Sequence, residues 1–322
     1  MLSILSERKF PAAEVVPLAS DRSEGKIIPY AGAEFRVKRL GHDSFEGVDL
    51  ALFSAGAARS LEFAPSAVKA GTVVVDNSSA YRMDPEVPLV VPEVNAGALA
   101  SHKGIIANPN CSTIQMVVVL KPLYERAGVR RIVVSTYQAV SGAGQSAVDE
   151  LRGQVEAAGS GNPPEAREMP HPIAFNCLPQ IDVFLDEGDT KEERKMVDET
   201  RKILGAPGLP VSATCVRVPV YNAHSESVNV ETERPLSPEE ARELLAAAAG
   251  VEVIDDPARL AYPMALSASG RDPVYVGRIR RDSSAGNALN MWIVSDNLRK
   301  GAALNAVQIA EALIEMNLLK AV

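Results

Sequence analysis

The sequence predicts a doubly wound α/β domain followed by an α+β domain with a mostly antiparallel or mixed sheet. Three observations carry this. Short, near-continuous apolar strands alternate with helical stretches over the first third of the chain, the mark of a parallel sheet covered on both faces. Beyond residue 108 longer strands follow one another with fewer helices between them. At the junction stands Cys111, in the run Asn108-Pro109-Asn110-Cys111-Ser112-Thr113, where a strand turns into a buried helix.

The elements follow in order. Residues 1–8 read as the middle of a first helix and residues 14–20 as the second strand of a doubly wound sheet. Residues 48–53 form a strand that ends in the small-residue turn Ser54-Ala55-Gly56-Ala57. A helix over 58–70 follows, and Gly71 ends it in the position where a left-handed residue usually stands. Strands are expected at 72–76 and 89–94, with a strand end at 104–107. The helix after Cys111 is apolar from Ile114 to Leu120. Residues 131–140 read as a long strand, 160–172 as a Gly- and Pro-rich loop, and 191–204 as a helix with mixed charges. Strands at 212–221, 227–232, 274–280 and 290–294 lead to an alanine-rich amphipathic helix over 300–318, able to pack on the first domain. Residues 1–108 with 297–322 thus form a Rossmann-type nucleotide-binding domain, and 109–296 a second domain. A doubly wound dinucleotide domain opens with a strand, a glycine-rich turn and a helix. That opening strand and turn are expected to be missing here, with weak cofactor binding and an unstable first domain as the expected result.

Composition narrows the function classes. A chain of 322 residues accommodates two cores. A net charge of −8 without a basic run argues against nucleic acid. Cys111, Cys177 and Cys215 have no CxxC spacing, which argues against a zinc site or disulfide framework and for a reducing cytoplasm. No apolar stretch reaches the roughly 18 residues of a spanning helix, and no signal-peptide pattern opens the chain. Cys177 and Cys215 read as buried bystanders, and His42 and His102 as surface residues. His171 lies in the Pro-rich loop.

Cys111 carries the chemistry. A helix N-terminus presents unpaired N–H groups and a partial positive charge, and both favour the reactive thiolate. A small buried cysteine is the bland alternative, made less attractive by the Pro-Asn lead-in and the Ser-Thr that follows. Arg82 sits in a loop after Asp76-Asn77-Ser78-Ser79, at the carboxyl end of a strand, where α/β sheets bind ligands. Arg22 and Ser23 follow the second strand, where an arginine accommodates a 2′-phosphate. Asp21 beside them leaves NAD and NADP both open.

Several ordered motifs resemble one family. They include Leu50-Ala51-Leu52-Phe53-Ser54-Ala55-Gly56, Val73-Val74-Val75-Asp76-Asn77-Ser78-Ser79, Asn108-Pro109-Asn110-Cys111-Ser112-Thr113, Ser135-Thr136-Tyr137-Gln138-Ala139-Val140-Ser141-Gly142-Ala143-Gly144, Cys215-Val216-Arg217-Val218-Pro219, His224-Ser225-Glu226-Ser227 and Ser295-Asp296-Asn297-Leu298-Arg299-Lys300-Gly301. The chain resembles aspartate-β-semialdehyde dehydrogenases from end to end apart from the expected missing start, and is most similar to their Gram-positive-like branch. The resemblance implies NADP-dependent reduction of aspartyl-4-phosphate to aspartate semialdehyde in the pathway to lysine, threonine, methionine and isoleucine, by a homodimer or sometimes a tetramer.

The resemblance also implies roles. Cys111 is the nucleophile, His224 its acid/base partner, and Gln138 orients the acyl group. Arg217 clamps the substrate carboxylate, and Glu199 meets its amino group. Arg82, Asn110 and Lys202 hold phosphate. Ser54, Ala55 and Gly56, with Arg22 and Ser23, serve the cofactor; Ser141, Gly142 and Asn297 lie on its nicotinamide side. It tips the cofactor to NADP. Plainer readings exist: Glu199 and Lys202 could simply pair along a helix, and Arg217 could be a surface strand residue. The sister enzyme N-acetyl-γ-glutamyl-phosphate reductase is the nearest alternative, disfavoured by the Ser-Thr-Tyr-Gln-Ala-Val-Ser-Gly-Ala-Gly run. A glyceraldehyde-3-phosphate-type dehydrogenase shares the thiol but not the local sequence. A chain that binds without catalysing is the alternative from another class.

Overall fold

The computed structural model describes residues 1–319, so the last three residues of the expected first domain, 320–322, lie outside the described residues. It divides into two compact units, Met1–Pro109 with the C-terminal segment from Ala303, and Asn110–Ala302. Residues 297–302 thus belong to the second unit, where Asn297 bonds to Ser141 and Ala223 and Asp296 to Asn222 and Gly270.

The first unit opens with α1 (Leu2–Glu7), β1 (Leu18–Ala19), the hairpin β2 (Ile27–Tyr30) and β3 (Ala33–Arg36), and β4 (Lys38–Arg39), which pairs parallel with β1. Only two residues of the expected strand at 14–20 pair; Pro17 just before them has no N–H for a ladder. Next come β5 (Leu50–Phe53), α2 (Ala57–Lys69), β6 (Val73–Asp76), α3 (Pro92–Asn95) and β7 (Ile105–Ala107), giving a parallel sheet β5-β6-β7. Both faces of β6 are covered, which explains its unbroken valine run. Val74 packs with Phe45, Phe63, Ala64 and Ala67, while Val73 and Val75 pack with Leu99, Ile106 and the C-terminal Ile309 and Leu313. Residues 89–94 are not a strand. Leu89 makes one bridge to Ala107, and Pro92, pre-set for a helix start, opens α3 instead.

The second unit runs through α4 (Cys111–Ala127), β8 (Val129–Gln138), a 3₁₀ turn at Val140–Ala143, α5 (Gln145–Gly159), α6 (Lys191–Leu204), β9 (Val211–Arg217), β10 (His224–Thr232), α7 (Pro238–Ala246), β11 (Val251–Val253), α8 (Ala265–Ala268), β12 (Val274–Arg281) and β13 (Ala288–Ser295). Its six strands form one mixed sheet, β11-β12-β13-β10-β8-β9, parallel at both ends and antiparallel between. α4 is buried without a break from Ser112 to Leu120, as a central helix must be, and its charged residues Lys121, Glu125 and Arg126 stand in its last two turns. After β13 a π-helical turn at Arg299–Ala303 leads into α9 (Leu304–Glu315), whose Leu304 and Val307 pack with Ile4 and Leu5 inside the first unit. Among the described residues no helix is long and apolar enough to cross a membrane.

Register decides what the sheet presents. Arg217 pairs with Gln138, and Ser295 with His224. Ser225 pairs with Tyr137, so His224 and Gln138 fall at the same level. Arg217, Gln138, His224 and Ser295 therefore form one row across β9, β8, β10 and β13, on the buried face.

α6 begins with a reciprocal cap: the Glu193 N–H donates to Thr190 Oγ1 (3.3 Å) and the Thr190 N–H to Glu193 Oε2 (2.6 Å). Thr190→Ala is expected to lower unfolding free energy by about 1 kcal/mol. Urea denaturation followed by circular dichroism checks this; an unchanged midpoint would show that tertiary contacts alone hold the helix start.

Candidate active site

The site is built on the start of α4. Asn110 is the N-cap and Cys111 the first helical residue. Asn110 does not cap with its own side chain; two carboxylates from α6 hold it. Glu199 Oε2 accepts its backbone N–H (2.6 Å), and Glu192 Oε1 accepts its Nδ2 (2.8 Å). Glu192 Oε1 also accepts Gln138 Nε2 (3.1 Å), and Glu192 Oε2 accepts Lys195 Nζ (3.2 Å). One buried carboxylate thus ties α4, β8 and α6 together. The second Gln138 amide hydrogen points at Thr136 Oγ1 (3.3 Å). With both hydrogens engaged, Gln138 presents an acceptor to any ligand.

Ala139 positions two members of the row. Its N–H donates to His224 Nδ1 (3.0 Å), and its carbonyl accepts from Arg217 Nη1 (2.7 Å). A backbone N–H only donates, so Nδ1 must accept and Nε2 carries the hydrogen of the neutral ring. His224 Nε2 is buried with no hydrogen-bond partner among the described residues. Burial lowers the histidine well below 6.5, and Arg217 lowers it further. The geometry therefore favours the proton-giving half of the expected acid/base role. Arg217 is buried and makes no ion pair among the described residues. Burial pulls its pKa down, while the charge of Cys111 and then Glu192 pushes it back up. A buried guanidinium with a carbonyl as its acceptor is a site for a carboxylate.

Two glycines make room. A Cβ on Gly142 would lie 2.9 Å from Arg217 Nη1 and 3.1 Å from His224 Nε2, and one on Gly301 would lie 2.8 Å from Cys111 Cβ. Gly301 belongs to the π-helical turn, a departure from α geometry that favours functional sites.

The second unit thus brings together Asn110, Cys111, Gln138, Glu199, Arg217 and His224. Lys202 is half-buried on the following turn of α6. Ser141 and Asn297 bond to each other (3.0 Å), and Asn297 Oδ1 also accepts the Ala223 N–H (3.0 Å). In the first unit, Arg82 is buried and donates to the carbonyls of Asn108 (2.9 Å) and Asn77 (3.2 Å). Arg22 is exposed and Ser23 half-buried on a turn after β1, and Ser54, Ala55 and Gly56 form an exposed turn after β5. Among the described residues no group of three or more His, Cys, Asp or Glu could hold a metal. Two expectations are corrected. His102 is buried, its Nε2 against Leu318 O (3.0 Å) and its Nδ1 accepting the Gly104 N–H (3.1 Å). Cys177 is exposed, whereas Cys215 is buried and its thiol is pushed up by that burial. Glu192 and Gly301 are site residues that sequence reasoning missed: the first hides in a charged helix, the second in a small-residue run.

Fold and site together define a class, a two-domain α/β dehydrogenase. Residues 1–102 match the family described as "Semialdehyde dehydrogenase, NAD binding domain", and 120–300 match "Semialdehyde dehydrogenase, dimerisation domain". Aspartate-semialdehyde dehydrogenase of Aquifex aeolicus is 58% identical, with 99% of this chain and 95% of that protein covered. The crystal structure of aspartate semialdehyde dehydrogenase II from Vibrio cholerae complexed with ASA superposes with a TM-score of 0.95 at 49% identity, covering 98% of this chain and 94% of that one. That of the Candida albicans enzyme with NADP gives 0.76 at 29% identity, covering 98% and 95%. The chain belongs to the aspartate-semialdehyde dehydrogenase family.

Gly301→Ala pushes directly on Cys111. Turnover is expected to fall by about a hundredfold, the scale for roughly 1 Å of misplacement, with the melting temperature nearly unchanged. Steady-state kinetics beside a thermal melt checks this; wild-type turnover in a folded variant would contradict the packing.

Proposed function

We propose that this chain catalyses the reversible, NADP-dependent reductive dephosphorylation of L-aspartyl-4-phosphate to L-aspartate 4-semialdehyde through a thioester on Cys111. One observation supports it above the rest: the row of Arg217, Gln138 and His224, held by one sheet. A thiol suits this route because it attacks well and leaves well, dividing one hard step into two. Arg217 binds the α-carboxylate, and Gln138 offers its oxygen to a donor on the substrate. His224 directs Nε2–H at the oxygen on which charge develops. In this reading Glu199 meets the amino group, and Arg82, Asn110 and Lys202 the phosphate.

The first unit fits NADP on its own residues. Gly56, with φ +88°, opens the thirteen-residue α2 at the carboxyl end of β5, and the Arg22 guanidinium is exposed after β1. Bound NADPH supplies the hydride; Ser23, Ser54, Ala55, Ser141, Gly142 and Asn297 are the remaining contacts of this reading. The active form is a homodimer in the cytoplasm. A second copy would cover the sheet face opposite the site, where Ser227, Met264 and Trp292 line a groove of about 500 Å³. Its metabolic setting is the route to lysine, threonine, methionine and isoleucine.

The test is NADPH formation by the purified chain from aspartate semialdehyde, phosphate and NADP. Cys111→Ala is expected to lose at least about a thousandfold in kcat. Arg217→Lys is expected to raise KM by about ten- to a hundredfold, because lysine lacks the two-pronged donor. The His224 limb of the pH profile is expected below 6.5, since burial and Arg217 both oppose the charged ring. Preference for an N-acetyl-γ-glutamyl substrate, or an active Cys111→Ala variant, would refute the reading.

A further inference from the structure

One level below the row of Arg217, Gln138 and His224 lies a carboxyl group that the proposed chemistry does not use. Glu226 is fully buried on β10, two residues past His224 and on the same face. In the sheet its neighbours are Thr136 of β8 and Ile293 of β13, with Cys215 of β9 beyond Thr136. From α4 above, the Gln115 amide stands against it and favours its ionised form, by less than burial opposes that form. Neither Glu226 oxygen, nor Gln115 Nε2, has a hydrogen bond of good geometry among the described residues. The titratable groups around it are Cys215, whose thiol burial keeps protonated, and His224, which burial keeps neutral. No cation stands beside it among the described residues, and an ionised carboxylate so placed would cost several kcal/mol or more. Burial accordingly pushes Glu226 well above its ordinary value.

We propose that Glu226 is a positioning residue for this reaction: facing the Gln115 amide, it fixes the start of α4 over β10 and so sets Cys111 against His224. The proposal rests on the function proposed above. Its geometry is that of two parallel links. Gln115 lies four residues after Cys111, on the same face of α4, and helical side chains lean toward the N-terminus. Glu226 lies two residues after His224, on the same face of β10. The same two elements therefore carry both the reacting pair and the Gln115–Glu226 pair. Apolar packing between a helix and a strand tolerates small slides, whereas two facing buried polar groups with no other partner among the described residues can satisfy each other in only one register. A protonated acid donates one bond and accepts one, and the amide face offers the complement.

The experiment compares Glu226→Leu, Glu226→Gln, Gln115→Met and the Leu/Met double variant of the full chain. The readouts are kcat, KM, thermal melts from pH 4.5 to 8, and the pH profile of Cys111 alkylation by iodoacetamide, resolved by peptide. Glu226→Leu and Gln115→Met are each expected to lose about ten- to a hundredfold in kcat, with KM nearly constant and the alkylation midpoint shifted. The double variant is expected to be no worse than the poorer single one, because both act through one contact. Glu226→Gln, uncharged and of like shape, is expected to restore most of kcat. It should also raise the melting point increasingly as pH climbs above 4.5. The sign follows because a carboxyl raised in the folded state lends stability at low pH and loses it as pH rises. A Glu226→Gln variant as slow as Glu226→Leu, or a Glu226→Leu variant with wild-type kcat and alkylation, overturns the proposal. An inactive wild-type chain whose variants still shift Cys111 alkylation sinks the function reading and leaves this one standing.

Discussion

Everything at the site depends on the register of four adjacent strands. Side chains alternate faces along a strand, so a slip of one residue would turn a strand's buried set to the other side. With β9, β8, β10 and β13 in the observed register, Arg217, Gln138, His224 and Ser295 line up beneath α4. The next level holds Cys215, Thr136, Glu226 and Ile293, and the level below is apolar at Ala213, Val134, Val228 and Met291. Polarity thus falls away from the Cys111 end into the core. The apolar levels hold the register, and the register aims the polar ones.

The charge balance around Cys111 is less simple than a helix start alone implies. A helix N-terminus favours an anion by about 0.3–1 kcal/mol, and by about 2 kcal/mol in partly buried cases. Two carboxylates, Glu192 and Glu199, stand at this same end and oppose a thiolate. Lys195 offsets Glu192 through a 3.2 Å ion pair, and the buried Arg217 guanidinium answers the sulfur charge. Burial keeps His224 neutral, and the same guanidinium adds to that effect.

What the sequence disclosed follows from how local each feature is. β6 is a run of valines between helices, and α6 is a charged helix over 191–204; both are written in contiguous residues and both form as expected. Cys111 was legible because a helix start is local. The strand expected at 89–94 failed because Pro92 acts as a helix opener only in its three-dimensional setting. Glu192 was hidden because its partners, Asn110 and Gln138, lie 82 and 54 positions away, and a Lys-Glu-Glu-Arg-Lys run reads as a solvated face. His102 looked exposed in its polar loop, yet a contact with Leu318, 216 residues on, buries it. The role of Gly301 appears only when Cys111 packs against its missing side chain.

The proposed chemistry needs His224 as a neutral donor, fixed by the Ala139 N–H. Nitrogen-15 spectra of the ring, assigned with a His224→Asn variant and followed from pH 5.5 to 8.5, measure that state directly. The expected result is a protonated Nε2 and an unprotonated Nδ1 across the range, with no ring protonation near 6.5. An imidazolium signal at pH 6.5, or the tautomer with the hydrogen on Nδ1, would contradict it.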